Sequence, residues 1–292
     1  MTEPTCQGPD PNPRKPRLKA PPRACDTHAH IFGPQATYPY AANRGYTPPD
    51  APVADYLRVL GVLGIERGII VHASMQGADN RSSLDALAEL GEHFRGVAVV
   101  RPEVTQDELR RLHAGGMRGA RMTTFVAGGT GAEHVELLAK RIAGLGWLSE
   151  LHLGNVDELV ELAPLLRRLP TPYLIDHFGR VRGDQGMENA GFQALLRLLA
   201  EDEKCWVKLC SFYRLSQAGP PDYADMAPIA RALVAACPDR LVWGSNWPHP
   251  AFDGPMPNDG DLLDLMLDWV PDEAIRNRIL ADNPARLFGF PD

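Results

Sequence analysis

Several features are missing from the 292-residue sequence, and each absence argues against a class of protein. No run of about 18 apolar residues is present, so the sequence does not predict a membrane-spanning helix. The N-terminus lacks the apolar segment of a signal peptide. Neither a G-x-G-x-x-G segment after the first predicted strand nor a G-x-x-x-x-G-K-[ST] segment occurs, which argues against dinucleotide and P-loop sites. We therefore expect a cytoplasmic protein that has no membrane partner.

Cysteine and positive charge are both in short supply. The five cysteines include no C-x-x-C pair, which argues against zinc-ribbon and thioredoxin-like sites and indicates free thiols. The 30 Lys and Arg residues are outnumbered by 37 Asp and Glu residues, and the net charge is −7. No basic stripe stands out, so a nucleic-acid partner is not expected. The sequence shows no heptad repeat and leaves the oligomeric state open, although an oligomer is compatible with it.

What the sequence does contain, from Ala24 onward, is an alternation of short β-type runs and amphipathic helical runs. Eight such βα units over this length predict a single-domain α/β fold, the (β/α)8 TIM barrel of about 250 residues. Residues 1–23 are proline-rich and basic, and they predict an extended N-terminal arm before a barrel domain at 24–292. We expect the strands at Ala24–Ile31, Arg67–His72, Arg95–Val100, Gly116–Met122, Trp147–Leu153, Tyr173–Asp176, Cys205–Leu209 and Arg240–Gly244.

Histidines and other polar residues fall where the predicted strands end. In such barrels the catalytic residues lie at the C-terminal ends of the strands, where the βα loops converge. His28 and His30 lie two residues apart on strand one, so both side chains point to the same face. Clustered histidines indicate proton transfer or metal binding, and arginines indicate binding of a carboxylate. The ends of later strands supply His72, Ser74, Arg121, His152, His177, Arg214 and Asn246.

Three segments form specific motifs: DTHAHIFGP at Asp26–Pro34, IDHFGR at Ile175–Arg180, and WGSNWPHP at Trp243–Pro250. Together they resemble the amidohydrolase-related branch that contains 2-pyrone-4,6-dicarboxylate lactonase, and the similarity extends over nearly the whole chain. The resemblance implies a TIM barrel and a hydrolase of the amidohydrolase superfamily that acts on a carboxylic ester. It also implies a small anionic lactone as substrate, and a role in aromatic or sugar-acid catabolism.

The resemblance further implies roles for individual residues, with two departures from the family pattern. Asn246 stands where the family has the aspartate that activates the hydrolytic water. A second arginine expected shortly after strand four has no counterpart between Phe125 and Gly131. The implied catalytic positions are His28, His30, His177 and Asn246. The implied substrate-binding positions are Tyr46, Ser74, Arg121, His152, Arg180 and Arg214.

The asparagine leaves more than one reaction open. An amide can orient a water or donate to an oxyanion, but it cannot take a proton near neutral pH, so the neutral histidines remain as candidate bases. The main hypothesis is a hydrolase that opens a small carboxylated lactone, with the carboxylate bound by Arg121, Arg214 and Tyr46. The alternative is a metal-independent sugar-acid lactone isomerase, because the D-galactarolactone isomerases are similar in having asparagine at this position. A third reading is a binding protein without activity.

Metal binding is left open by the same residues. His28, His30, His152 and His177 have the strand positions of zinc ligands in metal-dependent amidohydrolases. Loss of the strand-eight carboxylate removes one anionic ligand, and in several members of the resembling branch no tightly bound metal is required. The favoured expectation is a site that requires no cofactor, with one divalent ion such as zinc on those four histidines as the alternative.

Overall fold

Eight parallel β-strands form the centre of the computed structural model, which describes residues 5–125 and 130–291. Each strand pairs with the next strand along the chain, in the order β1 to β8. The strands are β1 Cys25–Ala29, β2 Arg67–Val71, β3 Phe94–Ala98, β4 Met117–Thr123, β5 Leu148–His152, β6 Tyr173–Ile175, β7 Cys205–Leu209 and β8 Leu241–Trp243. The predicted (β/α)8 barrel and its eight strands are confirmed.

Helices connect the strands on the outside of the barrel. Seven lie between consecutive strands or their loops: α1 Val53–Leu63, α2 Arg81–Leu90, α3 Gln106–Ala114, α4 Val135–Ile142, α5 Glu158–Leu166, α6 Ala190–Glu201 and α7 Ala227–Ala236. The chain after β8 forms α8 Asp259–Asp264, α9 Met266–Trp269, α10 Glu273–Asn277, a π-helical turn Arg278–Asp282, and α11 Asn283–Phe288. None of these helices in the described ranges is both long and apolar enough to cross a membrane.

The barrel closes where β1 meets the segment after β8. The backbone N–H of Asn246 donates to the His28 carbonyl at 2.8 Å, and the N–H of His30 donates to the Trp247 carbonyl at 2.8 Å. Gly244 permits this approach, because a Cβ at that position would lie 2.8 Å from the His28 Cβ. Buried Asp26 joins the same two segments, since it accepts from the Ser245 backbone N–H at 2.9 Å. The closure thus fixes where His28, His30 and Asn246 stand.

The interior of the barrel has an apolar half and a polar half. Side chains from successive strands, including Ile69, Val97 and Val242, form an apolar cluster with Phe288 and Phe290 near the C-terminus of the chain. Further along the strands the interior carries buried ionisable groups, among them Glu150 and Lys208, neither of which is exposed to solvent. Buried polar groups require hydrogen-bond or ion-pair partners, and these two groups pair with each other below the cavity described in the next subsection.

The segment before β1 lies against the barrel without forming a helix. The backbone N–H groups of Arg17 and Leu18 donate to Asp264 Oδ1 at 2.7 and 2.9 Å. Nearer the start of the described chain, Cys6 donates its N–H to the Thr47 carbonyl at 2.9 Å. Residues 1–4 of the predicted arm lie outside the described residues, as do residues 126–129 in the segment where the second arginine of the family has no counterpart.

Candidate active site

A cavity of about 510 Å³ opens at the C-terminal end of the barrel. Nine of the ten predicted site residues line it: His30, Tyr46, Ser74, Arg121, His152, His177, Arg180, Arg214 and Asn246. The remaining wall is formed by Gly45, Phe125, Ser211, Pro250 and Ala251. The tenth predicted residue, His28, is fully buried and does not belong to the wall. The strand ends therefore bring together residues that are up to 216 positions apart in the sequence, as His30 and Asn246 are.

The four histidines from strands one, five and six form a contiguous cluster. The ring centroid of His28 lies 4.9 Å from that of His30 and 4.8 Å from that of His177. The His152 ring lies 5.0 Å from His177 and 4.8 Å from Phe125. Burial lowers the pKa of every imidazole in the cluster, for His30 to about 3. All four rings are therefore neutral at neutral pH.

The hydrogen-bond partners of the first two histidines assign them opposite tautomers. The Nδ1 atom of His30 lies 2.7 Å from the Val71 carbonyl oxygen, which can only accept, so Nδ1 carries the proton and Nε2 carries a lone pair. The Nδ1 atom of His28 lies 3.0 Å from Lys208 Nζ, which can only donate, so the proton of this neutral ring is on Nε2. One histidine thus offers an acceptor, and its neighbour offers a donor.

A network of four buried charges lies beneath the histidine cluster. The Lys208 ammonium lies 2.7 Å from Glu150 Oε2 and 3.0 Å from Asp176 Oδ1. The Arg121 guanidinium lies 3.0 Å from Asp176 Oδ2 and 3.4 Å from Glu150 Oε1. Burial opposes ionisation of Asp176, but the Lys208 charge lowers its pKa well below the ordinary value. Two cations and two carboxylates make this network electrically balanced.

Two groups of buried side chains among the described residues have the spacing of metal ligands. They are His28, Glu150 and Asp176, and His28, His177 and Cys210, with the ligand atoms of each group within 4.8 Å of one another. The Lys208 ammonium already contacts every member of the first group. In the second group the proton on His28 Nε2 and the bond of Nδ1 to Lys208 leave that ring no lone pair to offer. As their side chains are arranged, neither of these two groups therefore offers a complete set of free ligands to a divalent metal.

The arginines of the cavity differ in how far their charge is neutralised. Arg121 is paired with Asp176, whereas neither Arg180 nor Arg214 has a carboxylate within ion-pair distance in the described part of the chain. Arg180 stacks over the Phe125 ring at 5.2 Å, and its buried Nε has no partner among the described residues. Arg214 donates to the carbonyls of Pro250 and Ala251. Arg180 and Arg214 thus leave the cavity with excess positive charge.

Asn246 is held by its neighbours in a defined orientation. Its side-chain N–H donates to Tyr213 Oη at 2.8 Å and lies 3.4 Å from Ser211 Oγ. Tyr213 Oη also lies 2.9 Å from His249 Nδ1, and His249 Nε2 lies 3.1 Å from Asp259 Oδ1. The amide nitrogen is committed to these oxygens, so the amide oxygen is the atom that can accept a hydrogen bond from a water.

Left-handed backbone conformations aim several of these side chains into the cavity. His177 has φ 52° and Arg180 has φ 63°, in the turn that follows β6. Ser211 after β7 has φ 59°, and Asn246 after β8 has φ 66°. Such conformations are costly for residues other than glycine and are often found at functional sites. Three consecutive strands end in this way at the same cavity.

The buried residues beneath the cavity were not predicted as site residues. Lys208 interrupts the otherwise apolar strand CWVKL, and Glu150 interrupts LSELH two residues before His152. A charge on the inward face of a barrel strand is the signal that could have identified both, because an unpaired charge does not persist there. Asp176 precedes His177 in the IDHFGR segment, where it was noted only as part of the motif and was given no role of its own.

A family model described as "Amidohydrolase" matches residues 25–290. Among curated proteins, the chain is 43% identical to a 4-sulfomuconolactone hydrolase from Rhizobium radiobacter, over 98% of this chain and 96% of the relative. It is 37% identical to a 2-pyrone-4,6-dicarboxylate hydrolase from Comamonas testosteroni, over 95% and 93%. A D-galactarolactone isomerase from Agrobacterium fabrum is 32% identical, over 96% and 94%.

Solved structures give the same picture of the fold. A structure from Agrobacterium tumefaciens superposes with a TM-score of 0.85 at 31% identity, and it covers 94% of this chain and 99% of that one. Both sets of matches extend over nearly the whole barrel, including the cavity wall.

Proposed function

The chain belongs to the amidohydrolase family, and on that premise we propose that it hydrolyses a small anionic lactone at the cavity described above. The family resemblance drawn from the three sequence motifs is confirmed, and the protein is an enzyme. Its relatives named as hydrolases act, by their names, on a sulfomuconolactone and a pyrone dicarboxylate. Both names describe a lactone ring that carries acidic groups.

The observation that carries the proposal is the pair of guanidinium groups that no carboxylate neutralises. Arg180 and Arg214 both line the cavity, and neither has a carboxylate within ion-pair distance in residues 5–125 and 130–291. Guanidinium groups bind carboxylates and sulfonates through charge-assisted hydrogen bonds. We expect the substrate to place its anionic groups here. Arg121 was also predicted to bind the carboxylate, but Asp176 already neutralises much of its charge. We therefore assign the substrate anion to Arg180 and Arg214, and the polarisation of the carbonyl to Arg121.

The histidines supply the proton transfers of the proposed reaction. A water that donates to His30 Nε2 and to the Asn246 amide oxygen attacks the lactone carbonyl carbon, and its proton passes to His30. Arg121, which lines the cavity, stabilises the negative charge that develops on the carbonyl oxygen. The dipole of the His28 Nε2–H, which is buried behind the wall against the His30 and His177 rings, adds to this effect. The ring C–O bond then breaks, and the leaving oxygen takes up the proton that His30 accepted from the water. Ring opening thus adds one water and gives a carboxylic acid and a hydroxyl group, and the acid releases its proton to solvent as a carboxylate forms.

The proposed reaction does not depend on a bound metal or another cofactor. In one of the two candidate donor sets every member already contacts the Lys208 ammonium, and His28, which belongs to both sets, presents a proton rather than a lone pair. Polarisation of the carbonyl is then assigned to His28 and Arg121. The proposal would be abandoned if activity required stoichiometric zinc and disappeared after chelation.

Hydrolysis in ¹⁸O-labelled water tests the proposed function. The purified enzyme is incubated with a panel of lactones that carry one or two carboxylate or sulfonate groups, and the products are examined by mass spectrometry. We expect turnover of a dianionic lactone with one ¹⁸O atom in the new carboxylate. A failure to turn over any anionic lactone, with or without added zinc or manganese, would contradict the proposal.

An intramolecular lactone isomerase is the second candidate, because the isomerase relative aligns over the whole barrel and Asn246 is not itself a base. In that reaction a hydroxyl of the substrate replaces water as the attacking group. The cavity wall contains Phe125, Pro250 and Ala251, which offer few partners to a polyhydroxylated sugar acid. The same labelling experiment distinguishes the two, since isomerisation yields a rearranged lactone without ¹⁸O.

A further inference from the structure

Lys208 is the most unusual residue beneath the active site. It lies on β7 with a side chain that is fully buried, and it points into the barrel interior below the histidine cluster. Lys208 Nζ donates to Glu150 Oε2 at 2.7 Å and to His28 Nδ1 at 3.0 Å. Asp176 Oδ1 lies 3.0 Å from the same ammonium and is its second ion-pair partner.

The charge of Lys208 is also matched. Ionised Glu150 and Asp176 together balance Lys208 and Arg121, so these four groups carry no net charge. A buried ammonium is tolerated only with such partners, since an unpaired charge in the interior is strongly destabilising. Glu150, Asp176 and His28 are also one of the two donor sets with the spacing of metal ligands among the described residues. The ammonium thus stands where that set would hold a cation.

The contact with His28 has a chemical consequence. Because Lys208 donates to Nδ1, the neutral imidazole keeps its proton on Nε2, and this atom is buried without a hydrogen-bond partner among the described residues. It lies in the ring that packs against His30 and His177. Without Lys208, the nearest acceptor to Nδ1 is Asp176 Oδ1 at 3.6 Å, and the proton would move to Nδ1 to reach it.

We propose that Lys208 is a positioning residue that takes the place of a metal ion in this barrel and holds His28 as a hydrogen-bond donor. The inference rests on the proposed lactone hydrolysis for its effect on rate, but not for its effect on His28. Lys208 itself touches no substrate. It acts by keeping the proton of His28 on Nε2. This N–H lies behind the cavity wall, against the rings of His30 and His177, and its dipole stabilises the negative charge that develops on the carbonyl oxygen of the substrate.

Nitrogen NMR of the ¹⁵N-histidine-labelled protein tests the tautomer directly. The signals of His28 and His30 are assigned by their absence in His28→Gln and His30→Gln variants. We expect the Nε2–H tautomer for His28 and the Nδ1–H tautomer for His30 in the unmodified protein. In the charge-balanced variant Lys208→Met/Glu150→Gln, His28 should change to the Nδ1–H tautomer. An Nδ1–H tautomer of His28 in the unmodified protein, or no change in the variant, would overturn the proposal.

Kinetics of the same variant provide a second measurement. The change should lower kcat by about tenfold, less than the roughly 100-fold effect of losing a donor in direct contact with an oxyanion, because His28 acts from behind the cavity wall, and KM should change little. The matched control is Lys140→Met/Glu136→Gln, which removes an ion pair of the same length, 2.7 Å, on the exposed face of α4. A large rise in KM with unchanged kcat would indicate a merely structural role. Because the NMR experiment needs no substrate, its outcome is independent of whether the lactone assignment is correct.

Zinc binding provides the third measurement. Lys208→Ala leaves His28, Glu150 and Asp176 around a vacated position, and it should bind one zinc ion at least tenfold more tightly than the unmodified protein, as measured by calorimetry. Adding Glu150→Gln to that variant should weaken the zinc affinity again. Circular dichroism establishes that each variant is folded before the titration. Equal zinc affinity of the unmodified protein and folded Lys208→Ala would contradict the substitution of an ammonium for a metal.

Discussion

The two histidines of the His28-Ala29-His30 segment differ chemically, although they lie only two positions apart in the sequence. His30 is bonded to the Val71 carbonyl and presents a lone pair, whereas His28 is bonded to Lys208 and presents a proton. A sequence motif treats both as the same type of ligand or base. Their partners, which come from β2 and β7, decide what each can do, and this division of roles is a property of the folded barrel.

The pH dependence of activity should reflect the lowered pKa of His30. Burial, and then the nearby Arg121 charge, lower the pKa of this base to about 3, so it stays unprotonated as pH falls well below the ordinary histidine value of 6.5. We expect His30 to contribute no acid limb to kcat/KM between about pH 8 and pH 5, measured with an anionic lactone whose own groups do not titrate there. Burial raises the pKa of Glu150 to about 7, so the profile is compared with that of Glu150→Gln. An acid limb near pH 6.5 that persists in Glu150→Gln would contradict the assignment of His30 as the base.

Arg180 should contribute mainly to substrate binding. Its guanidinium lines the cavity without a carboxylate partner among the described residues, so Arg180→Gln removes a charge-assisted bond to the substrate and should raise KM by at least about tenfold. Arg182→Gln is the matched control, since Arg182 lies two residues away, is exposed, and pairs with Asp184 at 2.9 Å. Steady-state kinetics of both variants would decide the point, and equal KM values would remove Arg180 from the binding site.

At the scale of elements, the site depends on segments that have little regular structure. The cavity wall includes Tyr46 from the loop between β1 and α1, and Ala251 from the loop between β8 and α8. The N-terminal segment bridges these loops: Cys6 donates its N–H to the Thr47 carbonyl at 2.9 Å, and its Sγ accepts from the Ala251 N–H at 3.3 Å. Gln7 adds two bonds to the carbonyls of Phe252 and Gly254. The N-terminal arm therefore contacts both of the loops that contribute Tyr46 and Ala251 to the cavity wall.

Loosening this bridge should weaken substrate binding more than it slows the reaction. In the variant Cys6→Ala/Gln7→Ala the arm keeps its backbone bond to Thr47 but loses its side-chain bonds to the loop between β8 and α8. We expect KM to rise about three- to tenfold with a smaller change in kcat, because the histidines remain in place. Lys15→Ala, an exposed position in the same arm, serves as the control. Kinetics on the identified lactone provide the measurement, and a fall in kcat at constant KM would be evidence against a role in shaping the wall.

The elements differ in how well the sequence predicts them. Strand β7 was predicted as Cys205–Leu209, the bounds that the structure has. The five helical segments after β8 were not predicted, since each is only four to six residues long and too short to show a helical period. The strand-end rule predicted seven of the nine wall residues, and the family resemblance added Tyr46 and Arg180. Neither could reveal Lys208, whose partners come from β1, from β5 and from the residue that follows β6.

For the whole molecule, the charges are arranged in three layers. The interior network of Lys208, Arg121, Glu150 and Asp176 is neutral, the cavity above it has the excess charge of two guanidiniums, and the chain as a whole carries −7. We therefore expect an anionic substrate to be attracted locally, at the mouth of the barrel, by the two guanidinium groups. This arrangement fits the selection of a small anion.

The stability of the molecule should fall at alkaline pH because of one buried histidine. His249 lies in the loop after β8, is fully buried, and contacts Asp259 and Tyr213. Although burial opposes its charge, these two partners raise its pKa to about 9. A pKa raised in the folded state contributes stability that is fully present below about pH 6.5 and is lost as pH rises through 9.

The shift from 6.5 to about 9 corresponds to as much as about 3 kcal/mol of unfolding free energy. We expect urea unfolding to show the unmodified protein losing up to this amount more than His249→Gln between pH 6.5 and pH 9.5, because other alkaline titrations are common to both. His93→Gln, an exposed position, should behave like the unmodified protein. If His249→Gln loses as much stability over this range as the unmodified protein does, the imidazolium–Asp259 pair does not hold the loop that carries Asn246, and the orientation of that amide must have another cause.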